Sequence, residues 1–390
     1  MISGATTVFD RNKLFYITGW NSIDITDFSY TSGNLLVLCE TNYGGTGPAS
    51  FPTFRQSEVG VNRRQAWGQD NSPPTGTGTL VTTRPNIRIT FNGTPSNPRH
   101  VAEWENIQGA LVAYSGEFGI PVDMVREISE TVDIFLIVST GSQTTAVNLL
   151  TAAGVPSAKI KVINKTVDSY WTRDYGPQFV YVDGPSGRQL KVVDHTYSRP
   201  ARPNDNESPA AVANYMGIGY YDMEMIDTGG NIVGNGAGTE MRTTLVQNDN
   251  PDKTLAQIQE QYTRYYGMSS LQLYTDPWSH TIDHIDCWAK VLPGNKVIIS
   301  RVPVGNSQYT AMENVATAWA TNNPGWTIYR IDTPNGEPYT NSVLINTATS
   351  KKILVPRMGN ANDAAALTVY TTALPGYEVI GYLATGADAC

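Results

Sequence analysis

Charge is sparse in this 390-residue chain: 16% of its residues are Asp, Glu, Lys or Arg, and they leave a net charge of −8. A grip on nucleic acid that ignores sequence comes from Lys and Arg neutralising phosphates, so this balance argues against a nucleic-acid partner. Cysteine is scarcer still. Cys39, Cys287 and Cys390 cannot all pair with one another, which rules out a disulfide-built scaffold and leaves at least one free thiol. No apolar run approaches the ~18 residues that would span a bilayer, so no membrane partner is expected. The start, Met1-Ile-Ser-Gly-Ala-Thr-Thr7, has no basic segment followed by an apolar one. The surface must instead be made polar by uncharged hydroxyls and amides, which leans towards a secreted protein whose signal segment has been removed. A cytosolic protein is the alternative.

What is present is enough for a core. A hydrophobic fraction of 40% over this length supports one large core or two ordinary ones, without staples. Residues 1–95 read as short β segments, such as Leu14 to Ile17, Asn34 to Cys39, Thr79 to Thr83 and Ile87 to Phe91, broken by Gly, Pro, Asn and Ser. Pro95-Ser-Asn-Pro-Arg99 then marks a boundary, after which helix-period and strand-like runs alternate. Helices are expected at Pro121 to Glu130, Gln143 to Ala153, Leu255 to Tyr266 and Met312 to Thr321. Strands are expected at Val132 to Val138, Lys159 to Lys165, Lys296 to Val302, Thr327 to Ile331 and Lys352 to Pro356. The fold class is therefore α/β, built from recurring strand–helix units without a fixed period.

Chemistry concentrates in Ser169-Tyr-Trp-Thr-Arg-Asp-Tyr-Gly-Pro177, which places Trp171, Arg173 and Asp174 in a loop after a strand. An aromatic wall beside a carboxylate suits a flat cation. Downstream, His280-Thr-Ile-Asp-His-Ile-Asp-Cys-Trp-Ala-Lys-Val-Leu292 sets His284 and Asp286 two apart, which on a strand would point both to one face. A guanidinium presents five donors in a rigid fork, so its recognition favours carboxylates at opposite edges. Asp174 and Asp286 meet that need. Either Asp alone would be read as a loop cap or a surface ion pair.

Trp-Thr-Arg-Asp-Tyr-Gly-Pro, Gly229-Gly-Asn231 and His-Ile-Asp followed by an aromatic and Ala-Lys together resemble the bacterial peptidyl-arginine deiminase and agmatine deiminase family. Ala102-Glu-Trp-Glu105 with Gly109-Ala-Leu-Val112 is similar to its first strand. The resemblance covers 96–390 and implies a pentein: a five-fold pseudo-symmetric α/β propeller, here preceded by the small β-rich region 1–95. It implies Asp174 and Asp286 as guanidinium clamps, Trp171 as the wall along the substrate stem, His284 as general acid and base, and no metal or cofactor. It also implies a nucleophilic cysteine near the end of the domain, forming a thiouronium that water hydrolyses. Cys390 is assigned that place. The alternative aligns Asp388-Ala389 with the start of the family's Asp-Ala-x-His-Cys segment, which sets the nucleophile beyond this chain. Cys287 is expected to be a core thiol.

The expected activity is hydrolytic deimination of arginine, at a peptide C-terminus, to citrulline and ammonia. Arg199 and Arg202, held by flanking prolines, can fork onto a carboxylate that agmatine lacks. An agmatine-type deiminase and a non-catalytic pentein used for binding or assembly are the alternatives. Asn231 and Asn341 are expected to line the pocket, Asn346 replacing Asn341 if the register differs. Gly229-Gly-Asn231 reads as a tight exposed turn rather than a phosphate loop, because no Lys-Ser/Thr pair follows. His195 and His280 are assigned polar loop roles. Sequons begin at Asn92, Asn164 and Asn206. The partner is a peptide or small guanidine, and the oligomeric state is left open.

Overall fold

The computed structural model describes residues 95–184, 187–278 and 282–384, and the backbone of four short strands before them. The chain divides into two units, 1–91 and 92–390. In the first, Gln56–Glu58 pairs antiparallel with Thr83–Pro85, and Arg64–Ala66 with Thr79–Val81. The strands expected at Leu14 to Ile17, Asn34 to Cys39 and Ile87 to Phe91 lie outside the described residues.

The second unit is mixed α/β, and its described residues form five sheets. Its first module is three parallel strands, Gly109–Tyr114, Asp133–Val138 and Ile160–Asn164, joined by the helices Val122–Ser129 and Gln143–Ala152. Four modules of one design follow: an antiparallel hairpin, then a helix, then a strand parallel to the hairpin's second arm. The second module is Gln178–Gly184, Gly187–Tyr197, helix Ser208–Met216 and Tyr220–Asp227. The third is Val233–Gly234, Thr239–Thr243, helix Leu255–Tyr266 and Ser270–Tyr274. The fourth is Ala289–Leu292, Lys296–Arg301, helix Tyr309–Asn322 and Thr327–Asp332. The fifth is Val343–Asn346, Lys351–Arg357, helix Asp363–Ala373 and Glu378–Leu383. Arg99–His100 adds a short edge strand to the second sheet.

Local chemistry explains these elements. Thr254 caps the helix Leu255–Tyr266 in a reciprocal box with Gln257, and Gly267 ends it in the left-handed region at φ 69°. Between them Ile258, Tyr262, Tyr265 and Tyr266 recur at helical spacing and are buried. The hairpin of the fourth module turns through Gly294 and Asn295, both at positive φ, which matches the twist of the flanking strands.

No module owns a core. Ala113, Ile137 and Ile163 of the first pack with Tyr175, Tyr197 and Val212 of the second. Val193 and Met223 pack with Ile258 and Tyr262 of the third, and Met241 and Tyr274 with Trp288 and Trp319 of the fourth. Ile298 and Ile331 pack with Leu344 and Tyr370 of the fifth. Ile345 and Leu354 of the fifth return to Val112, Leu136 and Leu150 of the first. Five apolar cores thus sit at five junctions, the last joining the end of the series to its beginning.

The strands and helices expected from periodicity are present, Tyr309–Asn322 extending beyond its expected bounds. Ala102 to Glu105 forms a turn rather than a strand, the strand being Gly109–Tyr114. His195 lies buried on a strand rather than in a loop, and His280 is outside the described residues. Cys287 is in the core, as expected, but it is disulfide-bonded and so offers no thiol.

Trp319 is 0% exposed and stacks on Tyr274 at 4.8 Å between ring centroids. Trp319→Ala should lower stability by about 3–5 kcal/mol, read from urea unfolding of the whole chain.

Candidate active site

The second to fifth modules are each entered through a short turn just ahead of the first strand. These turns are Thr172–Tyr175, Gly229–Asn231, Ile285–Cys287 and the segment 338–342. Asp174, Asn231, Asp286 and Asn341 occupy them in that order. One topological position, repeated, therefore supplies four of the polar residues expected at the site.

The first three turns touch in succession. A Cβ built on Gly229 would fall 1.9 Å from the carbonyl oxygen of Arg173, so only glycine fits there. A Cβ on Gly230 would stand 2.4 Å from His284 Nδ1, 2.9 Å from Asp174 Oδ1 and 3.2 Å from Asp286 Oδ1. Two carboxylates and one imidazole thus face the same bare glycine. His284 Nδ1 lies 3.5 Å from Asp174 Oδ1. Its Nε2 and the Oδ1 of Asp286 are buried without a hydrogen-bond partner among the described residues. Both atoms are free to meet a ligand's donors or protons.

His284 and Asp286 do not sit on a strand. Ile285–Cys287 is a single 3-10 turn with His284 as its N-terminal cap. That turn directs Asp286 to the site, while Ile285 and Cys287 enter the core. Burial, more than any other cause, raises Asp286 to about 6; Asp174 adds to this, whereas His284 and Arg173 oppose it. A cation placed between the two acids would relieve that burden.

The loop bearing Trp171 and Asp174 is fixed by Asp205, which accepts from the backbone N–H of Asp168 at 2.7 Å and of Ser169 at 3.1 Å, and from the Ser169 hydroxyl at 2.6 Å. Asp205 follows the arginine segment, so the two loops are tied together. Trp171 is half-buried and packs against Tyr170, with ring centroids 4.8 Å apart. Arg202 donates to the Tyr197 hydroxyl at 3.3 Å, and Arg199 to Ser198 Oγ at 3.3 Å. Tyr197 is pushed up to about 12, by burial first and then by Asp174, with Arg202 and Arg199 acting the other way. Both arginines are half-buried beside the same tyrosine that senses Asp174.

Other expected residues have different places. Asn231 is fully buried; its Oδ1 accepts from Thr243 N–H at 2.9 Å while its Nδ2 has no partner among the described residues. The turn it ends is buried, not exposed as its glycines suggest. Asn341 occupies its turn with its N–H donating to the Pro338 carbonyl. The Nδ2 of Asn346 donates to the Trp104 carbonyl at 2.7 Å and to the Tyr377 hydroxyl at 2.8 Å, beside a cavity of about 500 Å³, while its Oδ1 has no partner among the described residues. Cys390 lies outside the described residues.

Nothing local in the sequence discloses the pair that braces the site from behind. Lys290 Nζ donates to both oxygens of Glu103 at 2.6 and 2.7 Å and to the Ser342 carbonyl at 2.6 Å, and Arg173 lies 3.4 Å from Glu103. Burial opposes ionisation of Glu103, yet Lys290 and Arg173 prevail and hold it at about 2. A spacing of 187 residues hides such a pair from local pattern. Among the described residues no group of three or more His, Cys, Asp or Glu could hold a metal, and no helix is long and apolar enough to cross a membrane.

The Porphyromonas-type peptidyl-arginine deiminase family model matches residues 99–386. A Selenomonas ruminantium protein named as an agmatine deiminase is 26% identical over 196 residues, 45% of this chain and 51% of its own length. One so named from Mycoplasma mycoides is 28% identical over 207 residues, 48% of this chain and 53% of its own. The chain spans about half the length of these curated relatives. Among solved structures, the agmatine deiminase of Enterococcus faecalis aligns at 17% identity over 75% of this chain and 93% of its own, with a TM-score of 0.64. That of C. jejuni aligns at 18% identity over 76% and 92%, with a TM-score of 0.61. At these identities the likeness is one of fold.

Gly230→Ala should lower the thermal midpoint, because the buried His284 ring and both carboxylates must shift to admit a methyl group, and it should weaken binding of a guanidinium ligand about tenfold or more by calorimetry. Asp286, raised in the folded state, costs stability once ionised; that cost is present above pH about 6 and absent below the ordinary carboxylate value. Asp286→Asn should therefore raise the midpoint at pH 8 and not at pH 4, and guanidinium binding to the unsubstituted protein should weaken as pH falls through about 6.

Proposed function

Because the chain belongs to the Porphyromonas-type peptidyl-arginine deiminase family, we propose that it hydrolyses the guanidinium of arginine to a ureido group and ammonia. The observation that carries this is the convergence of Asp174, His284 and Asp286 over Gly230. In this reading the two acids grip the guanidinium edges and Trp171 lies along the aliphatic stem. A cysteine thiolate adds to the guanidinium carbon, and His284 passes a proton to the departing nitrogen, which leaves as ammonia. Water, deprotonated by the same imidazole, then attacks the thiouronium, and the carbon–sulfur bond breaks to return the thiol and leave citrulline. The nucleophile is Cys390 or a cysteine further along the protein. Asn231 and Asn341 complete the pocket from their two turns. No metal or cofactor enters any of these steps.

Arg199 and Arg202 make the substrate an arginine with a free carboxylate, such as the C-terminal residue of a peptide. Their place beside Tyr197, close to Asp174, supports this. The agmatine deiminase names of the relatives favour a second reading, in which the substrate has no carboxylate. The scaffold in either case is a five-fold pseudo-symmetric pentein propeller with the site at its axis, a reading supported by five cores at five junctions. We further propose an oxidising compartment outside the cytosol, which the disulfide at Cys287 favours.

Arg199→Ala and Arg202→Ala, assayed for ammonia and citrulline, separate these readings. Each should lower kcat/KM for a peptide ending in arginine by about 10- to 100-fold, the worth of a charged hydrogen bond, and leave agmatine turnover nearly unchanged. Equal losses on both substrates would remove the carboxylate role. Guanidinium binding without ammonia release from the full gene product would favour a non-catalytic binding protein.

A further inference from the structure

A third carboxylate stands near the site and has no role in the chemistry above. Asp249 ends the short helix Leu245–Asp249, which is pinned at both ends to segments that carry the site. At its start, the Thr243 hydroxyl donates to the carbonyl of Asp283, next to His284, and accepts from Leu245 N–H at 3.3 Å. Beyond its end, Asn250 accepts from Ile226 N–H at 2.9 Å and donates to the Ile226 carbonyl at 2.7 Å, just before the Gly229–Gly230 turn. The arginine segment joins the same strand end, Ser198 N–H donating to the Asp227 carbonyl at 3.2 Å. Asp249 is thereby held between the loop of His284 and the loop of Arg199. Its Oδ2 is shielded from solvent with no hydrogen-bond partner among the described residues. Burial pushes its carboxyl up and Asp227 adds to that, while Arg199 and His284 draw it down.

A shielded carboxylate oxygen without a donor is costly unless a ligand supplies one. The guanidinium is already taken by Asp174 and Asp286, and the arginines hold the substrate carboxylate. On an α-amino acid, the group next to that carboxylate is the α-nitrogen. Resting on the arginine reading of the site, we propose that Asp249 is a specificity-determining residue that accepts a hydrogen bond from the substrate's α-nitrogen. An ammonium makes a charge-assisted bond roughly twice as strong as a neutral amide. The site then ranks free L-arginine above Nα-acetyl-arginine, and both above 5-guanidinopentanoate, which keeps the carboxylate but lacks the nitrogen.

Dissociation constants of these three ligands, measured by titration calorimetry on the 390-residue chain, test the ranking without calling on the thiol. L-arginine should bind at least about tenfold tighter than 5-guanidinopentanoate. Asp249→Asn should erase most of that difference by weakening L-arginine while shifting 5-guanidinopentanoate less than about twofold. Equal binding of all three to the unsubstituted protein overturns the role of Asp249 and leaves the guanidinium site standing. Failure of all three to bind removes the arginine reading, and this inference with it. If Asp249→Asn lowers the thermal midpoint, the ranking on the unsubstituted protein decides by itself.

Discussion

Two carboxylates brought to one shielded point repel each other, and burial makes Asp286 costly there as an anion. Asp174 and Asp286 are held in that situation over Gly230, with His284 completing the ring of polar atoms. A flat cation relieves both acids at once, by charge and by supplying donors along two edges. Much of the neighbouring structure follows from keeping this arrangement in place. Gly229 must lack a side chain so that its turn can press on the Arg173 peptide, and Gly230 must lack one so that three polar groups can meet. The Glu103–Lys290 pair with Arg173 puts two cations, one of them buried, near the acids, and both draw Asp286 towards its ionised form.

The scaffold makes the site by repetition. Each later module begins with a turn before its first strand, and packing of adjacent modules sets the first three of those turns side by side. The residues of the turns can differ freely, since they belong to no strand ladder, while the cores at the junctions keep them in register. A site assembled from several modules exists only when the modules are packed together. Rigid elements supply the precision and short turns supply the chemistry, a division of labour common where function sits on loops of a stiff frame.

Much of this is legible in the sequence, and the limits are physical. The helices at Val122–Ser129 and Leu255–Tyr266 announce themselves because their apolar residues recur at helical spacing. The strand Lys296–Arg301 is readable because its run of apolar residues is buried on both faces. The hairpin Gln178–Gly184 with Gly187–Tyr197 leaves no such signal: its polar residues, such as Asp183, Arg188, Gln189 and Lys191, dilute any alternation. Trp171, Asp174, His284 and Asp286 stand out because each sits in a dense local motif. Their convergence over one glycine is a fact of packing, and the strand expected for His284 and Asp286 is a 3-10 turn that reaches the same end differently. Glu103 with Lys290 depends on contacts across the chain that no window of sequence contains. Asn346 is the alternative to Asn341 for a different register, and its side-chain bonds to Trp104 and Tyr377 are again contacts distant in sequence.

The cyclic order of the cores bears on how the protein is made. Val112, Leu136 and Leu150 find their covering side chains in Ile345 and Leu354, which leave the ribosome only after three intervening modules have been synthesised. Until then the first module presents an apolar face with nothing of the fifth to shield it, and the nascent chain carries that adhesive surface while the modules between are made. A holding chaperone, or crowding by unfinished neighbours on the same message, would act on this face before the closing module could.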